Sequence, residues 1–176
     1  MKTFRQYIEF IDDKSKLLEL KVLDKLNELG LEYFIYEHPP LRTVEESKAL
    51  RGEMHGGHTK NLFLRDKKKK NYLITVNENQ KIDLKFLESE LSSGRLSFGS
   101  PERLSQFLGV KPGAVSPLAL LNDKHNDVSF FIDHNLLSEN ILNFHPLVNH
   151  LTVSIKVIDF KYFLKSQNKF YNEIYF

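Results

Sequence analysis

Two runs of apolar, aromatic and β-branched residues, 61–66 (Asn61-Leu62-Phe63-Leu64-Arg65-Asp66) and 72–76 (Tyr72-Leu73-Ile74-Thr75-Val76), flank the polar stretch Lys67-Lys68-Lys69-Lys70-Asn71. Strand-forming runs separated by a few polar residues fold back on each other as a β-hairpin, and the lysines become its tip. Upstream, Gly56-Gly57 lets the backbone turn just before the first strand begins. Lys60 and Asn61 therefore stand at a strand mouth, where the sheet fixes their side chains in the way a binding site requires. The same position also suits an ordinary strand-end lysine with a packed stem and a solvated ammonium.

The rest of the chain supplies helices and further strands. A short helix is expected over residues 3–11, followed by a break at Asp12-Asp13-Lys14 with Ser15 capping the next helix. Leu17, Leu18, Leu20, Val22, Leu23, Leu26 and Leu29 recur at helical spacing until Gly30 stops the run. A strand over 32–37 ends at His38-Pro39-Pro40, and Thr43, with Glu46 three residues on, caps a second helix. Helices are expected over 81–91 and from the Ser100-Pro101 turn to Gly109, with a short strand at 95–98 between them. Residues 110–117 form a loop stiffened by Pro112 and Pro117. Strands at 127–133 and 151–155 and a closing helix at 157–164 complete the pattern. The expected class is α+β (mixed α/β), a single domain with a central, partly antiparallel sheet surrounded by helices. Its expected limits are 16–166, with a helical appendage at 1–15 and a tail at 167–176 that forms a strand or a partner contact.

At 176 residues the chain has room for one sizeable core. It contains no cysteine, which excludes disulfides, thiol nucleophiles and cysteine-ligated metals. Residues 1–13 carry charges without an uninterrupted apolar run, and no later run has the length of a membrane span, so a cytoplasmic protein is expected. The net charge of +2 is too mild to declare nucleic-acid binding. Lys67, Lys68, Lys69 and Lys70, next to Arg65, nevertheless form one dense positive cluster, suited to a phosphate backbone or simply to water.

The histidine pairs His55/His58 and His145/His150 lack a third ligand at zinc-motif spacing, so no metal is expected. Phosphate-binding loops, the dinucleotide glycine pattern and the G-x-S-x-G elbow of serine hydrolases are absent from the sequence. What remains is a lysine-asparagine pair, a rigid apolar loop and a histidine held by Pro146, all on predicted element ends where clefts form.

His58-Thr59-Lys60-Asn61-Leu62-Phe63-Leu64-Arg65-Asp66-Lys67-Lys68 closely resembles the signature of the YbaK/ProX family of aminoacyl-tRNA deacylases, free-standing relatives of the editing domain inserted in bacterial prolyl-tRNA synthetase. Similar blocks follow in family order: Glu37-His38-Pro39-Pro40, Thr43-Val44-Glu45-Glu46, residues 98–104 and 108–117, Asn122-Asp123, and Phe144-His145-Pro146-Leu147 with Asn149 and Thr152. The resemblance spans about residues 17–164 and lies nearest the free-standing Ala-tRNA(Pro) deacylase. It implies hydrolysis, without cofactor or metal, of the ester joining an amino acid to the terminal ribose of tRNA. Lys60 takes the place of the family's essential lysine, and Gly113-Ala114-Val115-Ser116-Pro117 is similar to the G-x-x-x-P loop that lines the aminoacyl pocket.

On that footing Lys60, Asn61 and Gly113 are the expected catalytic residues. Thr43, Ala114, Val115, Ser116, Pro117 and His145 are expected to contact the aminoacyl-adenosine end, and Lys67, Lys68, Lys69 and Lys70 to touch the tRNA. The implied partner is mischarged tRNA(Pro), with prolyl-tRNA synthetase a further candidate. A synthetase pocket built for proline rejects alanine weakly, a methylene being worth about 1–3 kcal/mol, and a second, smaller pocket removes the error. A Cys-tRNA(Pro) deacylase of the same fold and a non-catalytic tRNA- or protein-binding module remain as alternatives.

Overall fold

A computed structural model of the chain describes residues 13–39 and 54–176; the helix expected at 3–11 and the one capped by Thr43 lie outside these. The leucine-rich run forms α1 (Asp13–Glu28). Ser15, expected as its cap, instead lies inside the helix. At the other end Gly30 takes φ +67°, Leu31 N–H bonds to Leu26 O and Gly30 N–H to Asn27 O, the paired closure that a left-handed residue permits.

The chain continues as β1 (Tyr33–Glu37), β2 (Gly57–Arg65), β3 (Asn71–Asn77), α2 (Leu84–Glu90) and β4 (Ser97–Phe98). It closes with α3 (Pro101–Leu108), a 3-10 turn (Pro117–Asn122), β5 (Val128–Asp133), a second 3-10 turn (His134–Ser138), β6 (Ile141–Phe144), β7 (Leu151–Lys156), α4 (Val157–Ser166) and β8 (Tyr171–Ile174). The hairpin forms as expected, β2 against β3 from Thr59↔Asn77 to Arg65↔Asn71. Around it the strands order as β1-β7-β6-β2-β3-β5-β8, with β4 pairing β2, in one mixed sheet of a single domain. No helix among the described residues is long and apolar enough to cross a membrane.

Side chains of successive strand residues point to opposite faces, so the hairpin feeds two cores. Phe63, Leu73, Phe130 and Ile132 join the larger core with α1, α3, α4 and the 110–120 segment. Leu64, Tyr72, Ile74 and Val76 pack on the other face with Leu87 of α2 and Ile174 of β8.

One strand, β6, was not read as such from the sequence; it is four residues long with a polar Asn143 inside it. β8 falls in the segment 167–176, placed outside the domain as a tail and expected to be a strand or a partner contact. β8 pairs parallel with β5, Phe130↔Tyr171 to Asp133↔Ile174. Just before it the buried Lys169 extends Nζ to Asp123 O and to Asn126 Oδ1 (2.6 Å), tying the segment to the domain.

Candidate active site

The cleft exists because β2 has two different neighbours along one edge. β6 pairs parallel with it only at Gly57↔Leu142 and His58↔Asn143, whereas β4 takes the far end at Leu64↔Phe98 and Arg65↔Ser97. Between these contacts the strands part, and a crevice opens beyond the end of β6, the usual place for a site in a sheet with parallel neighbours. Thr59 Oγ1 spans the start of the gap, donating to Asn143 O at 2.9 Å.

Local sequence makes the approach of β2 to β6 possible. Gly56 has φ +99°, and a Cβ there would stand 2.7 Å from Ile141 O; at Gly57 it would meet Leu142 Cδ2 at 2.9 Å. The buried Asn143 then clasps the segment, its Nδ2 donating to His55 O (2.9 Å) and Gly57 O (3.3 Å) while its Oδ1 accepts from Ser154 Oγ. His58 Nε2 donates to Met54 O at 2.9 Å and holds the same turn from within.

The resulting cleft holds about 40 Å³, room for a small group and little more. On one side is Asn61, whose Oδ1 accepts the Thr75 hydroxyl at 2.6 Å. With Oδ1 so engaged, Nδ2 is the amide's donor end. On the other side His145 donates Nδ1–H to Leu151 O at 2.6 Å, which leaves Nε2 as the ring's acceptor. His38 donates from Nδ1 to Pro39 O (2.9 Å) and accepts the Thr152 hydroxyl at Nε2 (3.0 Å). Burial pushes the pKa of both imidazoles below the ordinary histidine value, each also feeling the other or His150. Glu78, 8% exposed, brings a carboxylate to the rim, its backbone N–H fixed on His58 O at 2.9 Å.

Of the residues expected from sequence, Asn61 and His145 meet here. Lys60 and the 113–117 loop do not line this cleft. Lys60 pairs with Val76, so its side chain leaves the sheet on the α2 face, where Nζ donates to Gln80 O at 2.5 Å. Ala114 and Val115 pack in the core on the opposite face, Gly113 takes φ +90°, and the buried Ser116 accepts from Leu118 N to cap the turn opened by Pro117. Strand alternation thus turns Lys60 to the α2 face and Asn61 to the other. Thr43 lies outside the described residues, and Lys67, Lys68, Lys69 and Lys70 are exposed at the hairpin tip. Sequence reading missed His38, Glu78, Asn143 and Thr152 as walls. Of these, His38 carried a signal, a histidine fixed in front of Pro39-Pro40.

The chain belongs to the aminoacyl-tRNA editing domain family, whose model matches residues 38–163, a span that includes every described wall of the cleft. Within that class its relatives carry a prolyl-tRNA label. The prolyl-tRNA editing protein ProX of Acetoanaerobium sticklandii is 38% identical over 154 residues, 87% of this chain and 94% of that one. Prolyl-tRNA synthetase associated domain-containing protein 1 of Mus musculus is 36% identical over 85% of this chain and 90% of its own. The fold is similar to that of a solved protein proposed as a trans-editing enzyme for prolyl-tRNA synthetase, with TM-score 0.65 and 20% identity over 89% of this chain and 95% of that one.

Proposed function

We propose that the chain is a cytoplasmic trans-editing hydrolase that removes alanine from mischarged tRNA(Pro). The observation that carries this reading is the meeting, in one small cleft, of a fixed amide donor at Asn61 and a neutral imidazole acceptor at His145. Similarity to ProX over nearly its whole length supports prolyl-tRNA as the carrier. The cleft's size supports a small acyl group.

An aminoacyl ester is already activated, so the protein has to place water and stabilise charge rather than supply a nucleophile. Water attacks the ester carbonyl carbon while His145 Nε2 accepts its proton. Asn61 Nδ2 donates to the oxyanion that forms. The carbon–oxygen bond to the ribose then breaks, the ribose oxygen takes the proton, and free alanine leaves tRNA with a terminal hydroxyl. Glu78 provides negative charge for the substrate's ammonium. Lys60 acts from behind the strand, anchoring the Gln80 carbonyl and with it the turn that carries Glu78. Ala114 and Val115 belong to the core against which the sheet rests.

The test is hydrolysis by the purified protein of tRNA(Pro) charged with alanine, cysteine or proline. Rapid loss of alanine with proline retained is expected. Faster release of cysteine would replace alanine as the substrate, and no release of either would overturn the hydrolase.

A further inference from the structure

Among the described residues Met54 is the one buried hydrophobic side chain that joins neither core. It is 8% exposed and stands in the wall of the cleft. The other described walls are polar except Phe144, whose ring is committed to the larger core, where it packs on Phe160 at 4.7 Å between centres. Met54 therefore supplies the apolar side-chain surface that a group entering the cleft can meet without disturbing either core.

The main chain under this side chain is anchored. His58 Nε2 donates to Met54 O at 2.9 Å, and the carbonyl of the next residue, His55, accepts from Asn143 Nδ2 at 2.9 Å. Gly56 then turns the chain at φ +99°, so close to β6 that a Cβ would stand 2.7 Å from Ile141 O. A fixed backbone carrying an unbranched, polarisable thioether gives a wall of set position whose surface fits closely around a small apolar group.

Polar walls meet the ester and the ammonium, which every aminoacyl ester carries alike. What separates glycine, alanine, valine and proline is apolar volume, and discrimination by volume needs a wall that the larger side chain would strike. We propose that Met54 is the specificity-determining residue of the cleft: its side chain meets the methyl group of an alanyl ester and leaves no room for further carbons. This deepens the hydrolase reading and rests on it for the ester's place in the cleft. Met54 takes no part in the chemical step, so its replacement changes which acyl group is released rather than how.

The test compares Met54→Ala and Met54→Phe with the unmodified protein on tRNA(Pro) charged with glycine, alanine, valine or proline, with circular dichroism to confirm folding. Met54→Ala removes more side-chain atoms than valine or proline adds to alanine. It is expected to raise kcat/KM for the valyl and prolyl esters, relative to the alanyl ester, by about tenfold or more, the usual weight of a methylene in such a pocket. Met54→Phe is expected to act in the opposite direction, slowing alanyl release by about tenfold or more relative to glycyl release. If one variant does not fold, the ratio measured in the other decides. A residue that only packs would lower all four esters together. Unchanged ratios therefore overturn the proposal while leaving the hydrolase intact. Should the unmodified protein release no amino acid, titration with the 3′-amide analogues of alanyl- and valyl-adenosine decides. A preference for the alanyl analogue that Met54→Ala cuts by about tenfold or more supports the assignment, and an unchanged ratio, or no binding of either analogue, overturns it.

Discussion

The rings of His38 and His145 lie 5.8 Å apart between centres, and each gives its Nδ1 proton to a backbone carbonyl, that of Pro39 and of Leu151 respectively. Burial disfavours a charge on either ring, His150 adds to that at both and His38 adds to it at His145, which is why both pKa values lie below the ordinary one. In the unfolded chain both histidines titrate near about 6.5. Because the folded values are lower, the unfolded state takes up protons first as pH falls. The stability that the pair contributes is complete above about pH 6.5 and is lost as pH drops from there through the lowered folded values. Melting temperatures at pH 7.5 and pH 5.5 should therefore differ, and the difference should shrink in His38→Gln/His145→Gln. An equal acid loss in that double variant would assign the effect to other groups.

Asn61 offers a donor to the cleft only because Thr75 holds its oxygen. Asn61→Asp keeps the acceptor for the Thr75 hydroxyl and removes the donor, so kcat should fall by about 10²–10³, the usual cost of one oxyanion donor, with KM changed little. Thr75→Val leaves the amide free to turn over and should give a milder loss. Single-turnover deacylation measures both; a kcat within twofold of the unmodified protein for Asn61→Asp would remove this residue from the chemistry.

Lys60→Ala separates two ways in which a lysine serves such a site. Its ammonium caps the Gln80 carbonyl on the α2 face, at the end of the turn following β3. Activity should fall, and Lys60→Arg, able to reach the same carbonyl, should restore part of it, while direct phosphate binding would show as a loss of salt dependence in KM.

How far the sequence foretold this site follows from what each signal encodes. The hairpin was legible because alternation and a charged interruption are local, and so were the Ser100 cap with Pro101 and the Gly30 and Gly109 stops. Their place at a strand mouth and the spelling around them brought Lys60 and Asn61 to notice together, yet neighbours on a strand face opposite ways, and of the two Asn61 lines the cleft. His145 was singled out by its place before a proline. Its partner His38 comes from the end of β1, and that meeting depends on the β1–β7 pairing, with Tyr36 opposite Thr152, a contact between segments more than a hundred residues apart. Asn143 was invisible for the same reason: its bonds to His55, Gly57 and Ser154 are all made across elements.

That clasp has a measurable weight. Asn143→Leu deprives the carbonyls of His55 and Gly57 of a donor and Ser154 of an acceptor in a buried setting, where each unsatisfied group costs about 1–3 kcal/mol. A loss of about 3 kcal/mol in urea unfolding is expected, together with loss of deacylation as β2 moves away from β6. A variant as stable as the parent would mean that water replaces these bonds.

The segment 167–176 can be tested as part of the domain rather than a tail. Lys169 Nζ is buried with Asn126 Oδ1 at 2.6 Å and Asp123 Oδ2 at 3.5 Å, and Asp123 also accepts from Asp127 N (2.9 Å) and Val128 N (3.1 Å). Removing one partner of a buried pair typically costs about 3–5 kcal/mol because the other charge is left uncompensated. The two backbone donors soften that here, so Lys169→Met should cost about 3 kcal/mol. Lys169→Met/Asp123→Asn should cost less than the sum of the single variants, since the orphaned charge is then gone. Strictly additive costs in urea unfolding would mean that the two side chains do not act as a pair, and that β8 is held by its ladder to β5 alone.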